Sequence, residues 1–262
     1  MKLSIIIPVY NEAPWLRRCL DSIKPSKKTE VIIIDDCSTD GSAEICDEYA
    51  DRFIVHHQAE NRGVSVARNT GIQIATADHI TFIDSDDYMS EDGIKNLVGA
   101  AESFPEDPIV QLNHLRYYTK LDKIKLKYSN RFGWYGYDNL PIHWCMVWNK
   151  VYDRNFIINN NIEFVRGMQY GEDAQFNLEC LLHTDHIQCT EAIGIVHCFD
   201  NKNSLVRNIT EEKLTLQDDL FHELIRRPNL PPKYKAMMRG IIGECWNSAT
   251  YQKIFTDEKD VI

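Results

Sequence analysis

The chain has 262 residues, of which 44% are hydrophobic and 26% are charged, as in an ordinary globular protein with room for one large α/β domain and a smaller appendage. A formal net charge of -10 excludes a nucleic-acid partner unless basic residues gather in a separate patch. We find neither a basic leader nor an apolar run long enough to cross a bilayer, so we expect a cytoplasmic protein, with peripheral association with the cytoplasmic face of a membrane left open.

The cysteines give no sign of a metal site. All 8 of them are scattered along the chain, without a C-x-x-C pair and without zinc-site spacing. With no export signal expected, this pattern predicts buried structural thiols in a reducing compartment.

Strands and helices are predicted to alternate through residues 1–108. The runs "LSIIIPVY", "EVIIID", "RFIVHHQ" and "HITFID" are typical of strands in a parallel sheet. A helical segment follows each of them, and the last, "SEDGIKNLVGAAES", opens with a potential capping residue, Ser90. Four such units predict an α/β fold with a mostly parallel, Rossmann-like sheet and helices on both faces. Gly63 and Gly71 are interpreted as turn or close-approach positions.

The pattern changes after Pro108. Period-two alternation in "IVQLNHLRYY" and "KIKLKY" predicts half-exposed antiparallel strands, and "HIQCT" and "GIVHCF" predict two more short strands. "GEDAQFNLECLLH", which precedes these two, has helical spacing. We expect residues 109–208 to complete the same domain, and residues 209–262 to form a C-terminal extension with two amphipathic helices.

Acidic residues follow the predicted strands. Asp35 and Asp36 end the second strand, and Asp84, Asp86 and Asp87 follow the fourth. Because ligands of parallel α/β sheets bind beyond the carboxyl ends of the strands, these side chains are expected along one rim. Such a cluster calls for a counter-charge, and a divalent metal ion is one candidate.

Six segments in order along the chain carry a family resemblance. They are "SIIIPVYNE", "VIIIDDCSTDGS", "NRGVSVARNTGI", "ITFIDSDDYM", "WNKVYDRNFI" and "GEDAQF". Together they resemble the family 2 glycosyltransferases of GT-A fold, and an ordered set of motifs is far more specific than a single D-x-D triplet. The resemblance implies an inverting, metal-dependent transfer of a sugar from a nucleotide diphosphate sugar, expected to be UDP-linked, to a glycan, lipid-linked or other hydroxyl acceptor in polysaccharide biosynthesis.

The resemblance assigns the acidic loop to a metal ion. Hard cations such as Mn²⁺ or Mg²⁺ prefer oxygen ligands and are commonly held by one or two carboxylates plus phosphate oxygens. Asp86 is the expected direct ligand, and Asp84 is expected to contact the metal, a metal-bound water or the ribose. Asp87 is expected to support the cluster or touch the donor sugar, and His197 to be a further ligand or a structural histidine. The alternative for the loop is a solvated acidic turn.

The same resemblance assigns a nucleotide pocket. Tyr10 is expected to stack on the base, and Asp36, or Asp35 in its place, to accept a hydrogen bond from uracil N3–H. Arg68 is expected either to approach the nucleotide or to be a structural partner of Asp84 or Asp86. The full set of predicted nucleotide-binding residues is Pro8, Tyr10, Asn11, Asp35, Asp36, Arg68, Asp84 and Ser85.

"GEDAQF" supplies the expected general base. The resemblance assigns that role to Asp173, which would take the proton of the acceptor hydroxyl. Glu172 would raise the pKa of Asp173 by like-charge repulsion. The alternative is that both acids only favour a helix N-terminus.

Weaker expectations concern the donor and acceptor sides. Lys150, Ser204 and Arg207 are expected near the diphosphate or donor, and Trp144 and Trp148 are expected to stack on a sugar or to be core residues. A basic run from Arg116 to Arg131 could touch phospholipid head groups or an anionic acceptor, or form a solvated strand face. Its other members are Lys120, Lys123, Lys125 and Lys127.

Two other functions remain open on the sequence alone. A phosphotransferase of the haloacid dehalogenase kind also places Asp-x-Asp after a strand, but it requires Thr or Val where this chain has Tyr88. A non-catalytic sugar-nucleotide binder would need none of the acids of "GEDAQF". The oligomeric state is not predicted.

Overall fold

The structure is a computed structural model that describes residues 2–118, 123–128, 132–136, 145–168, 170–198 and 211–240. Side chains at residues 118, 123, 125–128, 136 and 211–218 are not part of that description. The predicted site residues Trp144, Ser204 and Arg207 lie outside the described residues.

The described part of the chain contains ten strands, seven helices and a further helical segment. The strands are β1 (Leu3–Val9), β2 (Thr29–Asp35), β3 (Ile54–His57), β4 (His79–Phe82), β5 (Tyr88–Met89), β6 (Ile109–Tyr118), β7 (Lys123–Tyr128), β8 (Gly133–Gly136), β9 (Lys150–Asp153) and β10 (His186–Cys198). The helices are α1 (Ala13–Ser22), α2 (Ser42–Asp47), α3 (Val64–Ile74), α4 (Gly93–Ser103), α5 (Arg154–Asn159), α6 (Glu172–Leu181) and α7 (Glu211–Arg226). Residues 232–240 also have helical backbone.

One sheet runs through the molecule, in the order β3-β2-β1-β4-β9-β6-β10-β5. The first four strands in this order are parallel, so their carboxyl ends share one rim. β9 is antiparallel to both β4 and β6, and β10 is parallel to β6. β7 and β8 add antiparallel pairs to β6 and β10. The predicted α/β fold, with a parallel half and a smaller antiparallel region, is confirmed.

Helices cover both faces of this sheet because β1 and β2 are apolar on both sides. Ile6 and Ile32 point to a cluster that includes α3, α5, α6 and α7. Ile5 and Ile33, their chain neighbours, point to a second cluster with α1, α2 and α4. Side chains alternate between the faces of a strand, so a continuous apolar run feeds two cores at once.

Some predicted elements differ from the observed ones. β6 is not half-exposed: Ile109 to His114 are buried on both faces, because this strand lies between β9 and β10. Its buried polar side chains find partners, such as the Glu191 carbonyl oxygen that accepts from Asn113 Nδ2 (3.3 Å).

β10 is one strand and not two. The register against β6 shifts twice between Cys189 and Ile195, so a bulge carries the chain through the segment that separates the two predicted strands. The predicted cap of α4 is also wrong, because the Ser90 hydroxyl donates to the Ile193 and Gly194 carbonyls of that bulge (3.1 and 2.9 Å). Neither β5 nor β9 was predicted.

The described part of the C-terminal extension, residues 211–240, packs onto the face that carries α6. Phe221 and Ile225 of α7, with Tyr234 from the next helical segment, belong to the same buried cluster. Glu179 of α6 accepts hydrogen bonds from Tyr234 Oη (2.6 Å) and from the Arg227 guanidinium. The described part of the extension, residues 211–240, therefore contributes to the core of this domain.

The described helices do not include one with the length and apolar character needed to cross a bilayer. Seven cysteines in the described residues are free thiols, and five of them are buried, as the sequence predicted.

Gly71 provides a test of how closely α3 packs on the sheet. A Cβ at this position would overlap the Ile6 side chain, whereas a Cβ at Gly99 of α4 meets open space. We expect Gly71→Ala to lower the free energy of unfolding by roughly 1–3 kcal/mol, because overpacking forces atoms apart. Gly99→Ala should be neutral or stabilising by about 0.5–1 kcal/mol, because alanine favours helix. Urea unfolding measures both, and equal stabilities would contradict the close packing.

Candidate active site

The candidate site lies at the rim formed by the carboxyl ends of β1, β2 and β4. α6 begins beside this rim, and its first residues, Glu172 and Asp173, are joined to it through Arg68. Arg68 thus brings Asp84, from the end of β4, together with the two acids of "GEDAQF".

The loops after β1 and β2 are tied to each other. Asn11 has a left-handed φ of 54°. Its backbone N–H donates to Ser38 Oγ (3.0 Å), and its side-chain oxygen accepts from Thr39 N–H (2.8 Å). Pro8 is buried inside β1, while Tyr10 is 45% exposed. Of these predicted pocket residues, Tyr10 offers a ring to a ligand, and Pro8 and Asn11 shape the backbone.

Asp35 and Asp36 are both buried and point to different partners. Asp36 accepts backbone hydrogen bonds from Arg62 (2.9 Å) and Gly63 (2.7 Å), at the start of α3. Burial raises the pKa of Asp36, although the two N–H donors oppose the shift. Each carboxylate oxygen has a second lone pair, so the predicted hydrogen bond to a base stays compatible with these contacts. Gly63, with a φ of 86°, confirms the predicted turn position.

Arg68 is the centre of the site. Its Nη1 donates to Glu172 Oε1 (2.9 Å) and Asp173 Oδ1 (2.7 Å), and its Nη2 donates to Asp84 Oδ1 (3.0 Å). The guanidinium is buried and lies over the Phe164 ring, 5.3 Å from its centroid. Burial lowers the pKa of Arg68, but the carboxylates of Asp173, Asp84 and Glu172 raise it above its ordinary value. Of the two predicted roles, the structure therefore shows the partner of Asp84.

Asp173 is held as a candidate proton acceptor. Its Oδ2 accepts from the Val147 backbone N–H (3.3 Å), and Oδ1 receives Arg68. Burial raises the pKa of Asp173 against the opposing charge of Arg68, and repulsion from Glu172 and Asp84 adds to the rise. The predicted effect of Glu172 is therefore present, but burial is the larger cause.

The acidic loop after β4 divides by burial. Asp84 and Asp86 are partly exposed at the rim, while Ser85 and Asp87 are buried. The Asp87 carboxylate accepts from Cys198 N–H (2.7 Å) and lies 3.0 Å from His197 Nδ1. Burial lowers the pKa of His197, but the Asp87 carboxylate raises it above its ordinary value. Asp87 thus supports the cluster, as one of its predicted roles required.

Arg18 is a site residue that the sequence reasoning missed. Its Nη2 donates to the Asp86 carbonyl oxygen (2.6 Å), and its guanidinium lies between the Trp15 and Tyr88 rings, 5.2 and 5.1 Å from their centroids. Arg18 therefore binds the acidic loop through its backbone, at the Asp86 carbonyl. The available signal was an arginine on the helix after β1, flanked by an aromatic residue three positions earlier.

The structure corrects the expectation for Lys150 and selects one of the two alternatives for Trp148. The Lys150 side chain is fully buried and donates to the Met146 carbonyl and to Asn149 Oδ1 (3.0 Å), so it does not approach a diphosphate at the rim. Burial lowers the pKa of Lys150 to about 8. Trp148 is buried and stacked on the His197 ring at 5.0 Å, so it is a core residue and not a sugar platform.

Of the basic run from Arg116 to Arg131, the structure describes only the Arg116 side chain. The residues Lys120 and Arg131, and the side chains of Lys123, Lys125 and Lys127, lie outside what the structure describes. A membrane or anionic partner for this run stays a prediction.

The residues at the rim fit a hard dication that would be coordinated partly by the protein and partly by a bound substrate. Among the residues the structure describes, no group of three His, Cys, Asp or Glu side chains is gathered as a complete cage. Asp84 and Asp86 present carboxylates at the rim, which suits a cation that takes one or two carboxylates plus phosphate oxygens and water. A carboxylate on one ring nitrogen, as Asp87 provides, also orients histidines that bind metal through the other.

Known proteins are similar to this chain in sequence and in fold. Residues 4–163 match the family described as "Glycosyl transferase family 2". EpsJ of Bacillus subtilis (strain 168), described as an uncharacterized glycosyltransferase, is 31% identical over 227 residues, which are 78% of this chain and 62% of EpsJ. YibD of Escherichia coli (strain K12), described likewise, is 32% identical over 216 residues, which are 72% of this chain and 59% of YibD. The chain therefore spans about three fifths of either relative.

A solved structure shows the fold. S. aureus TarS 1–349, crystallised in complex with UDP-GlcNAc, superposes with a TM-score of 0.73 over 95% of this chain and 72% of that chain. The sequence identity is 20%, so the likeness concerns the fold. The predicted GT-A type fold class is confirmed.

Arg68→Met tests the centre of the site. We expect it to lower the free energy of unfolding by about 3–5 kcal/mol at neutral pH, because three closely spaced, partly buried carboxylates lose the buried cation that pairs with them. The loss should shrink as the pH falls. Without Arg68, the carboxylates of the folded variant have higher pKa values than in the unfolded chain, so protonation stabilises the folded variant. Urea unfolding across pH measures this. The control Arg17→Met removes an exposed pair with Glu48 and should change stability little; equal effects of the two variants would contradict the assignment.

Proposed function

The chain belongs to glycosyl transferase family 2, and from this premise we propose that it transfers a sugar from a UDP-sugar to a hydroxyl acceptor with inversion of the anomeric carbon. The observation that carries the proposal is the Arg68 contact set. It joins Asp84 of the acidic loop to Asp173 of α6, so the residues proposed for donor binding and for proton transfer share one site.

The proposed chemical step needs one base. The acceptor oxygen attacks the anomeric carbon while the bond from that carbon to the diphosphate oxygen breaks. Asp173 takes the hydroxyl proton, and the nucleotide diphosphate leaves with the bonding electrons. A raised pKa suits this task, because a carboxylate with a pKa nearer neutrality is a stronger proton acceptor than an ordinary aspartate.

The donor nucleotide is proposed to lie over the loops after β1 and β2. The exposed Tyr10 ring would stack on the base, and Asp36 would accept from uracil N3–H. Asp84 and Ser85 would lie toward the ribose. Support for a uridine nucleotide comes from the fold neighbour TarS, which was crystallised with UDP-GlcNAc and with UDP.

Mn²⁺ or Mg²⁺ is the proposed cofactor. Asp86 and Asp84 would hold the ion, and His197, oriented by Asp87, is the proposed further ligand. When bound, such an ion stabilises negative charge on the departing diphosphate. The acceptor is proposed to be a glycan or lipid-linked hydroxyl, used on the cytoplasmic side.

The family match overturns the phosphotransferase alternative, because residues 4–163 follow glycosyl transferase family 2 throughout. A non-catalytic binder of sugar nucleotides is the remaining alternative, and the substitutions below distinguish it.

Asp173→Asn tests the base. We expect the transfer rate to fall by about 10²–10⁴, because the amide cannot accept the proton, while UDP binding stays near the wild-type value. Donor turnover with a panel of hydroxyl acceptors, and calorimetry with UDP, measure the two quantities. Asp92→Asn, at the start of α4, is the matched control and should be fully active. An active Asp173→Asn enzyme would remove Asp173 from its proposed role.

Asp86→Asn tests the metal ligand. We expect it to abolish the increase in UDP affinity that Mn²⁺ gives the wild type, because a carboxylate ligand is lost. Calorimetry with and without Mn²⁺ measures this, and Asp51→Asn, an exposed acid before β3, is the control. A Mn²⁺ effect that survives in Asp86→Asn would count against the assignment.

The pH profile tests the environment of Asp173. Because its folded pKa is raised, the transfer rate should climb with pH along an acidic limb that lies above the ordinary aspartate value of about 3.9. A limb at or below that value would contradict the proposed base.

A further inference from the structure

His57 lies beside the proposed nucleotide pocket but has no role in the proposed reaction. It is the last residue of β3, which forms one edge of the sheet among the described strands. In the parallel register it stands opposite Asp35, the last residue of β2. A side chain at the end of β3 therefore reaches the same rim as the strand ends that carry the site.

The His57 ring bridges two carboxylates. Its Nδ1 lies 2.8 Å from Asp35 Oδ2, and its Nε2 lies 3.1 Å from Asp47 Oδ1, at the end of α2. Asp35 is buried, whereas Asp47 and His57 are 69% and 38% exposed. Only an imidazolium can donate to both carboxylates at once, since a neutral ring has a single N–H.

The contact continues into the loops of the pocket. Asp35 Oδ1 accepts from the Ser38 backbone N–H (3.1 Å), and Ser38 Oγ in turn accepts from Asn11 N–H (3.0 Å). His57 thus positions the Asp35 carboxylate, which accepts a hydrogen bond from the loop after β2. That loop in turn contacts the loop after β1, which contains Tyr10.

The charges that face His57 favour its protonated form. They are Asp35 from β2 and Asp47 from α2, and the neighbouring thiol on α2, Cys46, is kept neutral because burial raises its pKa to about 12. The hydrogen bond to Asp35 raises the pKa of His57 above its ordinary value, although burial opposes the rise. Protonation is therefore expected to persist to a higher pH than in an unperturbed histidine.

We propose that His57 is a positioning residue of the nucleotide pocket: as an imidazolium it holds Asp35, and through Ser38 the loop after β2, in the arrangement that binds the uridine diphosphate part of the donor. This inference rests on the proposed function, because it takes the pocket to be a nucleotide site. Its consequence is that UDP affinity weakens when the ring is removed or loses its proton.

Calorimetry with UDP at fixed Mn²⁺, from about pH 6 to about pH 9, tests the inference. We expect His57→Ala to weaken UDP binding about tenfold at the acidic end, as for loss of one hydrogen bond to a charged group. The wild type should approach the variant at the alkaline end. His56→Ala, an exposed neighbour on the same strand, should follow the wild type at every pH.

Asp47→Asn separates positioning from general stability. It leaves the contact with Asp35 but removes one of the two carboxylates that favour the imidazolium. The pH at which UDP affinity declines should therefore shift downward, with the acidic affinity retained. A residue that only stabilised the fold would leave this pH unchanged, and the thermal unfolding midpoints of all variants provide the check on folding.

The outcomes separate the two proposals. If His57→Ala binds UDP with the wild-type affinity and pH dependence, the inference is wrong and the proposed function stands. An Asp47→Asn variant with an unshifted pH dependence overturns the inference in the same way. If the wild type itself does not bind UDP at any pH, the proposed function fails, and the inference that depends on it fails too.

Discussion

The arrangement of the rim depends on the Arg68 guanidinium. At an effective dielectric constant near 20, two carboxylates about 4 Å apart repel by roughly 4 kcal/mol, so Asp84, Glu172 and Asp173 need a cation among them. A planar guanidinium with several donors can serve three acceptors, which a lysine ammonium does less well. One positive charge does not balance three ionised carboxylates, so the rim keeps an excess of negative charge. Burial is the main cause of the raised pKa of Asp173, and this excess of negative charge adds to it. The same excess favours the proposed dication.

The fold supplies the position of that guanidinium. α3 packs close to the sheet at Gly71, where a side chain would overlap Ile6, and this proximity brings Arg68 under the end of β4. The guanidinium is buried over the apolar ring of Phe164, and the carboxylates that accept from Nη1 and Nη2 offset the cost of burying its charge. A residue without a side chain therefore permits the close packing of the helix that carries Arg68.

Sequence predicted the parallel half because its strands are dense, β-branched runs with a single interpretation, and it predicted the acids of the rim because strand ends are where ligands bind. The second half was harder. β6 mixes Gln111, Asn113 and His114 with apolar residues, and only the enclosing strands show that these polar groups are buried. A bulge joins two apparent strands into β10. The inward path of Lys150 and the bridging role of His57 depend on contacts between segments distant in sequence, which periodicity does not record.

The contacts of Arg227 and Tyr234 with Glu179 connect the C-terminal segment to the helix that carries the proposed base. α6 is a stiff rod of about 15 Å, with the proposed proton acceptor at one end and Glu179 near the other, where Arg227 and Tyr234 grip it. Because a helix is stiff, a tilt of α6 at its Glu179 end also displaces its Asp173 end. Substitutions in the C-terminal segment are thus expected to change the position of the Asp173 carboxylate before they change substrate binding.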